Sequence, residues 1–226
     1  MNTAKINALV RFFAMAAEKE KLPANSDDPD TILKNLSKLD TFKARVEYAE
    51  KNLKHMSSGS SRVIYELNKD TVLKLAKNER GIAQNKVEAN PKMKSKYIVE
   101  TLKADRNGLW KTSPMCEKIT EKEFEKMVGF NFKDFGEVLS YEMNKDVDDG
   151  KKPKIKDYDK IAKSEIVKEL KRLGKEFDLL SGDMIRISSW GRKGNQIKIL
   201  DTGLTEDIFN EFYDKETGKP KSSKST

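Results

Sequence analysis

The sequence predicts an α+β fold, with a small antiparallel sheet in the first half and helices dominating the second. Two β-rich runs, residues 62–67 (RVIYEL) and 71–76 (TVLKLA), flank the polar turn Asn68-Lys69-Asp70 and form a hairpin. A second pair, 97–102 (YIVETL) and 108–112 (GLWKT), turns at residues 105–108 and adds to the sheet. Further on, residues 164–180 place Ile166, Val167, Leu170, Leu173, Phe177 and Leu180 on one helical stripe.

In chain order, residues 1–22 read as an amphipathic helix with Leu9, Phe12, Phe13 and Ala16 on one side. Its short apolar run is interrupted by Arg11, which argues against a signal peptide. Residues 23–29 are a turn cluster, and 31–53 form a second helical stretch carrying Ile32, Leu33, Leu36, Leu39, Phe42, Val46 and Tyr48. The small-residue turn SSGSS (57–61) leads into the hairpin, and a helix-like segment, 81–88, follows it until Asn90-Pro91. Thr120 and Glu123 make a capping-box pattern, and residues 131–143 continue helical. Residues 145–159 are a charged loop with Asp148 and Asp149, 205–213 a short capped helix, and 214–226 a Lys/Ser-rich tail expected to be mobile. The resulting division is a helical extension (1–52), a sheet-bearing part (53–116), a helical part (117–213) and the tail.

Composition narrows the function. Hydrophobic and charged residues each make up 36% of the chain, and 45 Lys+Arg give a net charge of +8. Residues 151–175 hold ten basic against four acidic side chains with few aromatics, the pattern of a solvated face rather than a nucleic-acid groove. Cys116 is the only cysteine, which excludes internal disulfides and cysteine-rich zinc sites. His55 is the only histidine, which argues against histidine metal clusters and Ser-His-Asp chemistry. No apolar run reaches transmembrane length, so a soluble, intracellular protein is expected.

Two stretches carry candidate chemistry. Alternation along 71–76 sets Lys74 on the same face as Val72 and Ala76, where it needs an anion or a route to water. Glu88, at the end of the following helical segment, is within reach as that anion; the plainer reading is a lysine that snorkels to the surface. The second stretch is 181–204, where Gly182-Asp183 follows a long helix and Asp201-Thr202-Gly203 ends a short strand 18 positions later. Plainly read, Asp183 is a turn residue and Asp201 a solvated strand end.

This ordered set, GSSR, VLKLAKN, GIAQN, GD, SSWG and DTGL, resembles the protein-kinase-like fold, and over residues 53–213 it is similar to kinase-like proteins carried by bacteriophages. The resemblance implies two lobes: a small antiparallel sheet with one helix, and a truncated helical C-lobe. It implies ATP and Mg²⁺ as cofactors, with Gly59, Ser60 and Ser61 covering the phosphates and Lys74, paired to Glu88, holding them. Asp183 would be the catalytic base and Asp201 a Mg²⁺ ligand, with Ser188 where the family has a metal-binding Asn. Residues 113–118 fall at the hinge, so the backbone of Met115 to Glu117 would meet the adenine edge. Gly59 is the single glycine where the family loop has three, and only 25 residues follow Asp201. Two functions therefore stay open: an ATP/Mg²⁺-dependent phosphotransferase or nucleotide-binding relative, and a pseudokinase acting as scaffold, virion or assembly component. The second would use the N-terminal helices and basic tail as contacts, in the host cytoplasm or the virion.

Overall fold

A computed structural model describes residues 28–146 and 150–221. The stripe at Leu9, Phe12 and Phe13, the pair Asp148-Asp149 and residues 222–226 of the tail lie outside the described residues. What is described is mixed α+β, with two small antiparallel sheets and several helices.

Residues 31–53 were expected as one helix and form two, α1 (Pro29–Lys38) and α2 (Phe42–Asn52). Asp28 caps the first by accepting from the Thr31 N–H at 2.8 Å, and Thr41 Oγ1 caps the second by accepting from the Ala44 N–H at 3.1 Å. Leu39 is extended at the end of α1, so the chain turns there and starts afresh at Thr41.

The first sheet contains β1 (Lys54–Ser58), β2 (Arg62–Asn68), β3 (Thr71–Ala76), β4 (Lys103–Ala104) and β5 (Trp110–Pro114), in the order β1-β2-β3-β5-β4. Strand alternation divides its residues cleanly. Val63, Tyr65 and Leu67 of β2 and Leu73 and Leu75 of β3 pack with Ile32, Leu36 and Tyr48 from the two preceding helices, forming one hydrophobic cluster. The opposite face carries Arg62, Lys74 and Lys111, from three adjacent strands, and α3 (Glu79–Glu88) lies across it. Asn78 caps α3 through the Gly81 N–H at 3.0 Å.

Residues 97–102 meet 108–112 only at their end, where the Leu102 N–H donates to the Thr112 carbonyl at 2.9 Å, and the β4–β5 ladder begins at Lys103, opposite Thr112. Tyr97 to Val99 instead runs beside the later strand Gln196–Ile199, where the Val99 N–H donates to the Ile199 carbonyl at 3.0 Å, and Ile98 and Val99 are buried. The turn at 105–108 is as expected, with Gly108 at φ +82.

The second sheet joins β6 (Glu117–Lys118), β7 (Trp190–Lys193) and β8 (Gln196–Ile199), in that order. Helices α4 (Glu121–Val128), α5 (Phe132–Asn144), α6 (Tyr158–Ala162), α7 (Glu165–Phe177), α8 (Ser181–Met184) and α9 (Glu206–Phe212) complete this half. Phe124, Phe135, Leu139, Leu170, Leu173 and Trp190 belong to its own hydrophobic cluster. Trp190 meets Phe124 and Phe135 edge-on, with ring centroids 5.2 and 5.6 Å away. The Thr120–Glu123 capping box forms as the sequence predicts.

The tail departs from expectation over residues 214–221, which fold back on α9. The Asp214 N–H donates to the Lys219 carbonyl at 2.8 Å, and the Lys221 N–H to the Phe212 carbonyl at 2.9 Å. No described helix is long and apolar enough to cross a membrane.

Candidate functional site

The candidate site is organised on α3, and its centre is Glu88. Glu88 Oε2 accepts from Lys74 Nζ and from Lys111 Nζ, each at 2.7 Å, and Oε1 accepts from Arg62 Nη1 at 2.8 Å. The Thr202 N–H lies 3.4 Å from the same Oε1. All four charged side chains are buried, so one carboxylate faces three cations out of water. A buried charge persists only when paired and hydrogen-bonded, and here each is. Burial alone would push the Glu88 carboxyl up, but the charges of Arg62, Lys111 and Lys74 outweigh it and hold it well below the usual carboxylate range. Lys111 is less well compensated: burial brings its amine down to about 8 despite the Glu88 charge.

Two further bonds tie this cluster to the second stretch. Lys74 Nζ donates to the Leu200 carbonyl, and Arg62 Nη2 donates to Asp201 Oδ1 at 2.6 Å. Asp201 is therefore joined to Glu88 through one guanidinium. Its own side chain is 43% exposed, against 3% for Glu88. The Asp201 turn is positioned by close packing, since a Cβ on Gly203 would lie 2.8 Å from Gln84 Cβ and 3.0 Å from its carbonyl oxygen.

Asp183 sits in α8 directly before Met184, whose carbonyl accepts from Trp190 Nε1 at 2.8 Å. Burial raises the Asp183 pKa, the negative charge of Asp201 raises it further, and Arg186 and Arg62 oppose both. Arg186 Nη1 is 3.6 Å from Asp183 Oδ1. The two acids thus share one electrostatic environment, brought together by the β7–β8 hairpin.

The serine turn is held against the start of α3. Ser61 Oγ donates to Gln84 Oε1 at 2.6 Å and is buried, while the Ser60 carbonyl accepts from Asn78 Nδ2 and Arg80 Nη2, both at 3.0 Å. Gly59 and Ser60 remain exposed. In the second sheet, Glu117 starts β6; its side chain is exposed and pairs with Arg192. The Met115 N–H is committed to the Asp70 carbonyl at 2.8 Å. Ser188 lies in the 3-10 turn Ile187–Ser189 and is exposed. Ser113, two residues beyond Lys111 on the same face of β5, keeps a buried hydroxyl with no partner.

Sequence reasoning assembled Lys74, Glu88, Asp183 and Asp201 but passed over Arg62, Lys111 and Asn85. Asn85 Oδ1 accepts from Arg62 Nη1 at 3.3 Å, and its amide donates to the Gly108 carbonyl at 2.9 Å. A signal for Arg62 existed: a charged residue immediately after the turn, opening a strand whose next three residues are Val63, Ile64 and Tyr65. Lys111 had the same kind of signal, being flanked by Trp110 and Thr112 in a strand.

Asp201 has an oxygen not held by Arg62, and a cation there would also relieve the repulsion that Asp183 feels. Among the described residues, no group of three or more His, Cys, Asp or Glu is arranged to hold a metal. A cavity of about 1110 Å³ lies apart from this cluster, between residues 88–104 and the β7–β8 turn, and meets the cluster only at Glu88. Its lysines are largely engaged, Lys96 with Glu165 and Lys103 with Asp30, each at 2.6 Å. No family model matches the chain, and no curated protein matches it.

Proposed function

We propose that the chain is a kinase-like, two-lobed protein that binds ATP with Mg²⁺ and transfers its terminal phosphoryl group. One observation carries the reading: Lys74 of β3, Glu88 of α3 and Asp201 of the turn after β8, far apart in sequence, are joined in one hydrogen-bonded network, Asp201 through Arg62. A strand lysine paired to a helix glutamate beside a metal-binding aspartate is the arrangement that phosphoryl transfer uses. The order of the first sheet and the division of apolar side chains into two clusters also support it.

In this reading Lys74 contacts the phosphates while Glu88 fixes its amine. Asp201 holds Mg²⁺, which when bound neutralises phosphate oxygens. Asp183 accepts the proton of an attacking hydroxyl as that oxygen bonds to the γ-phosphorus and the bond to the ADP oxygen breaks. Its raised pKa suits a base that must take up a proton.

A second reading, a pseudokinase acting as scaffold, virion or assembly component of a phage, is favoured by the exposure of Ser188 and by the hold of Arg62 on Asp201. Calorimetry with Mg-ATP on the wild type and Lys74→Ala separates the two. Glu88 retains Arg62 and Lys111 in that variant, so the test does not strip its neutralisation. Saturable binding that Lys74→Ala weakens at least about tenfold, the loss of one charge-assisted bond, supports nucleotide binding. Release of labelled phosphate to an acceptor is then the measure of transfer. No detectable binding by the wild type leaves the scaffold reading.

A further inference from the structure

We propose that Arg62 takes the place of a second divalent cation, so that the site holds a nucleoside triphosphate with one metal ion per nucleotide. This rests on the nucleotide reading above and adds a residue that sets the metal requirement of that site.

The guanidinium occupies Asp201 Oδ1 at 2.6 Å, where a cation would otherwise neutralise that oxygen. It is built in rather than resting there. Nη1 is held by Glu88 at 2.8 Å and Asn85 at 3.3 Å, and the side chain is only 5% exposed. The Arg62 backbone is fixed in the β2–β3 ladder opposite Ala76. Rotation away from Asp201 would break bonds at both ends of the planar fork. Asp201 itself reaches solvent, which leaves room for one ion on its other oxygen.

The opposite side of the site offers little to a second ion. Ser188 is exposed in the 3-10 turn, and its hydroxyl is a poorer ligand for Mg²⁺ than a carboxylate or amide carbonyl. Charge points the same way. Arg62 also carries a fixed positive charge against Asp201, so a second metal ion on that oxygen would meet a cation already in place.

The test counts metal ions on the full-length protein. Protein-bound Mn²⁺ per protein-bound nucleotide is measured by electron paramagnetic resonance with a saturating non-hydrolysable ATP analogue. One Mn²⁺ per nucleotide is expected; two overturn the role given to Arg62 while leaving nucleotide binding intact. No analogue bound at any Mn²⁺ concentration overturns the nucleotide reading, and this proposal with it. Arg62→Gln, checked for folding by circular dichroism, leaves both Asp201 oxygens open to metal and should raise the count toward two Mn²⁺ per nucleotide, and Arg62→Lys should hold it nearer one. A count that stays at one in folded Arg62→Gln also overturns the proposal. If the variant does not fold, the wild-type stoichiometry decides alone.

Discussion

Glu88→Gln should cost far more stability than Lys111→Met, although both remove one charge from the same buried network. The glutamine keeps the shape of the side chain but leaves Arg62, Lys74 and Lys111 facing one another with no carboxylate between them. Removing one partner of a buried ion pair costs about 3–5 kcal/mol, because the remaining charge stays buried without compensation. At about 2–4 °C per kcal/mol for a chain of this size, the melting temperature should fall by roughly 6–20 °C. Lys111→Met works the other way. It leaves Glu88 with two cations and removes an amine whose burial already brings its pKa down to about 8. Replacing such a group by an apolar chain of similar volume should change stability by no more than about 1 kcal/mol, in either direction.

The pH dependence makes the comparison sharper. The Lys111 pKa is lower in the folded state than its ordinary 10.5, so between about pH 8 and 10.5 the unfolded chain binds more protons. The contribution of this group to stability therefore rises with pH across that window, and Lys111→Met should flatten the rise. Urea denaturation at pH 7.0 and at points from pH 8 to 9.5 measures both effects. A loss below about 1 kcal/mol in Glu88→Gln, where breaking a buried pair should cost several times that, would refute the claim that Glu88 neutralises three buried cations.

Asp183→Asn should raise the melting temperature at neutral pH and, under the proposed phosphotransferase function, abolish transfer. Its folded pKa lies above the ordinary 3.8, so the stability it contributes is full below that value and is lost as pH rises through the folded pKa. The difference from wild type should therefore vanish in acid, and a lower melting temperature for Asp183→Asn at pH 7 would contradict the burial assigned to this carboxyl. Gly81→Ala should destabilise by about 1–3 kcal/mol in urea denaturation, because the new Cβ would stand 2.2 Å from the Ser61 carbonyl oxygen and force the serine turn off α3. Gly182→Ala is its control: a Cβ there meets nothing within 4 Å, and the change should be neutral or stabilise by up to about 1 kcal/mol.

How much of this was legible in the sequence depends on whether the deciding information is local. The β2–β3 hairpin, the α3 segment, the Thr120–Glu123 capping box and the capped helix at Thr205 follow from short-range pattern, and they form. β1 was missed because Lys54–Ser58 is almost wholly exposed and shows no alternation; only its backbone pairing with β2 makes it a strand. Residues 97–99 were given the wrong partner for a related reason. An apolar run looks the same whether it lies beside β5 or β8, and β8 is a hundred residues away.

The candidate site divides along the same line. Lys74 and Glu88 could be paired in the sequence because one strand and one helix, adjacent in the chain, fix their relation. Arg62 and Lys111 enter through cross-strand register, in which Arg62 faces Ala76 and Lys111 faces Lys74, and register depends on partners that no single segment names. Their absence from the sequence reading changes the chemistry and not only the inventory. With Lys74 alone, Glu88 makes a simple pair and Asp201 is free for metal. With all three cations, Glu88 is a neutralising hub and one Asp201 oxygen is already taken. The proposed count of one metal ion per triphosphate therefore turns on Arg62, which the GSSR motif contains but to which the sequence alone assigns no role.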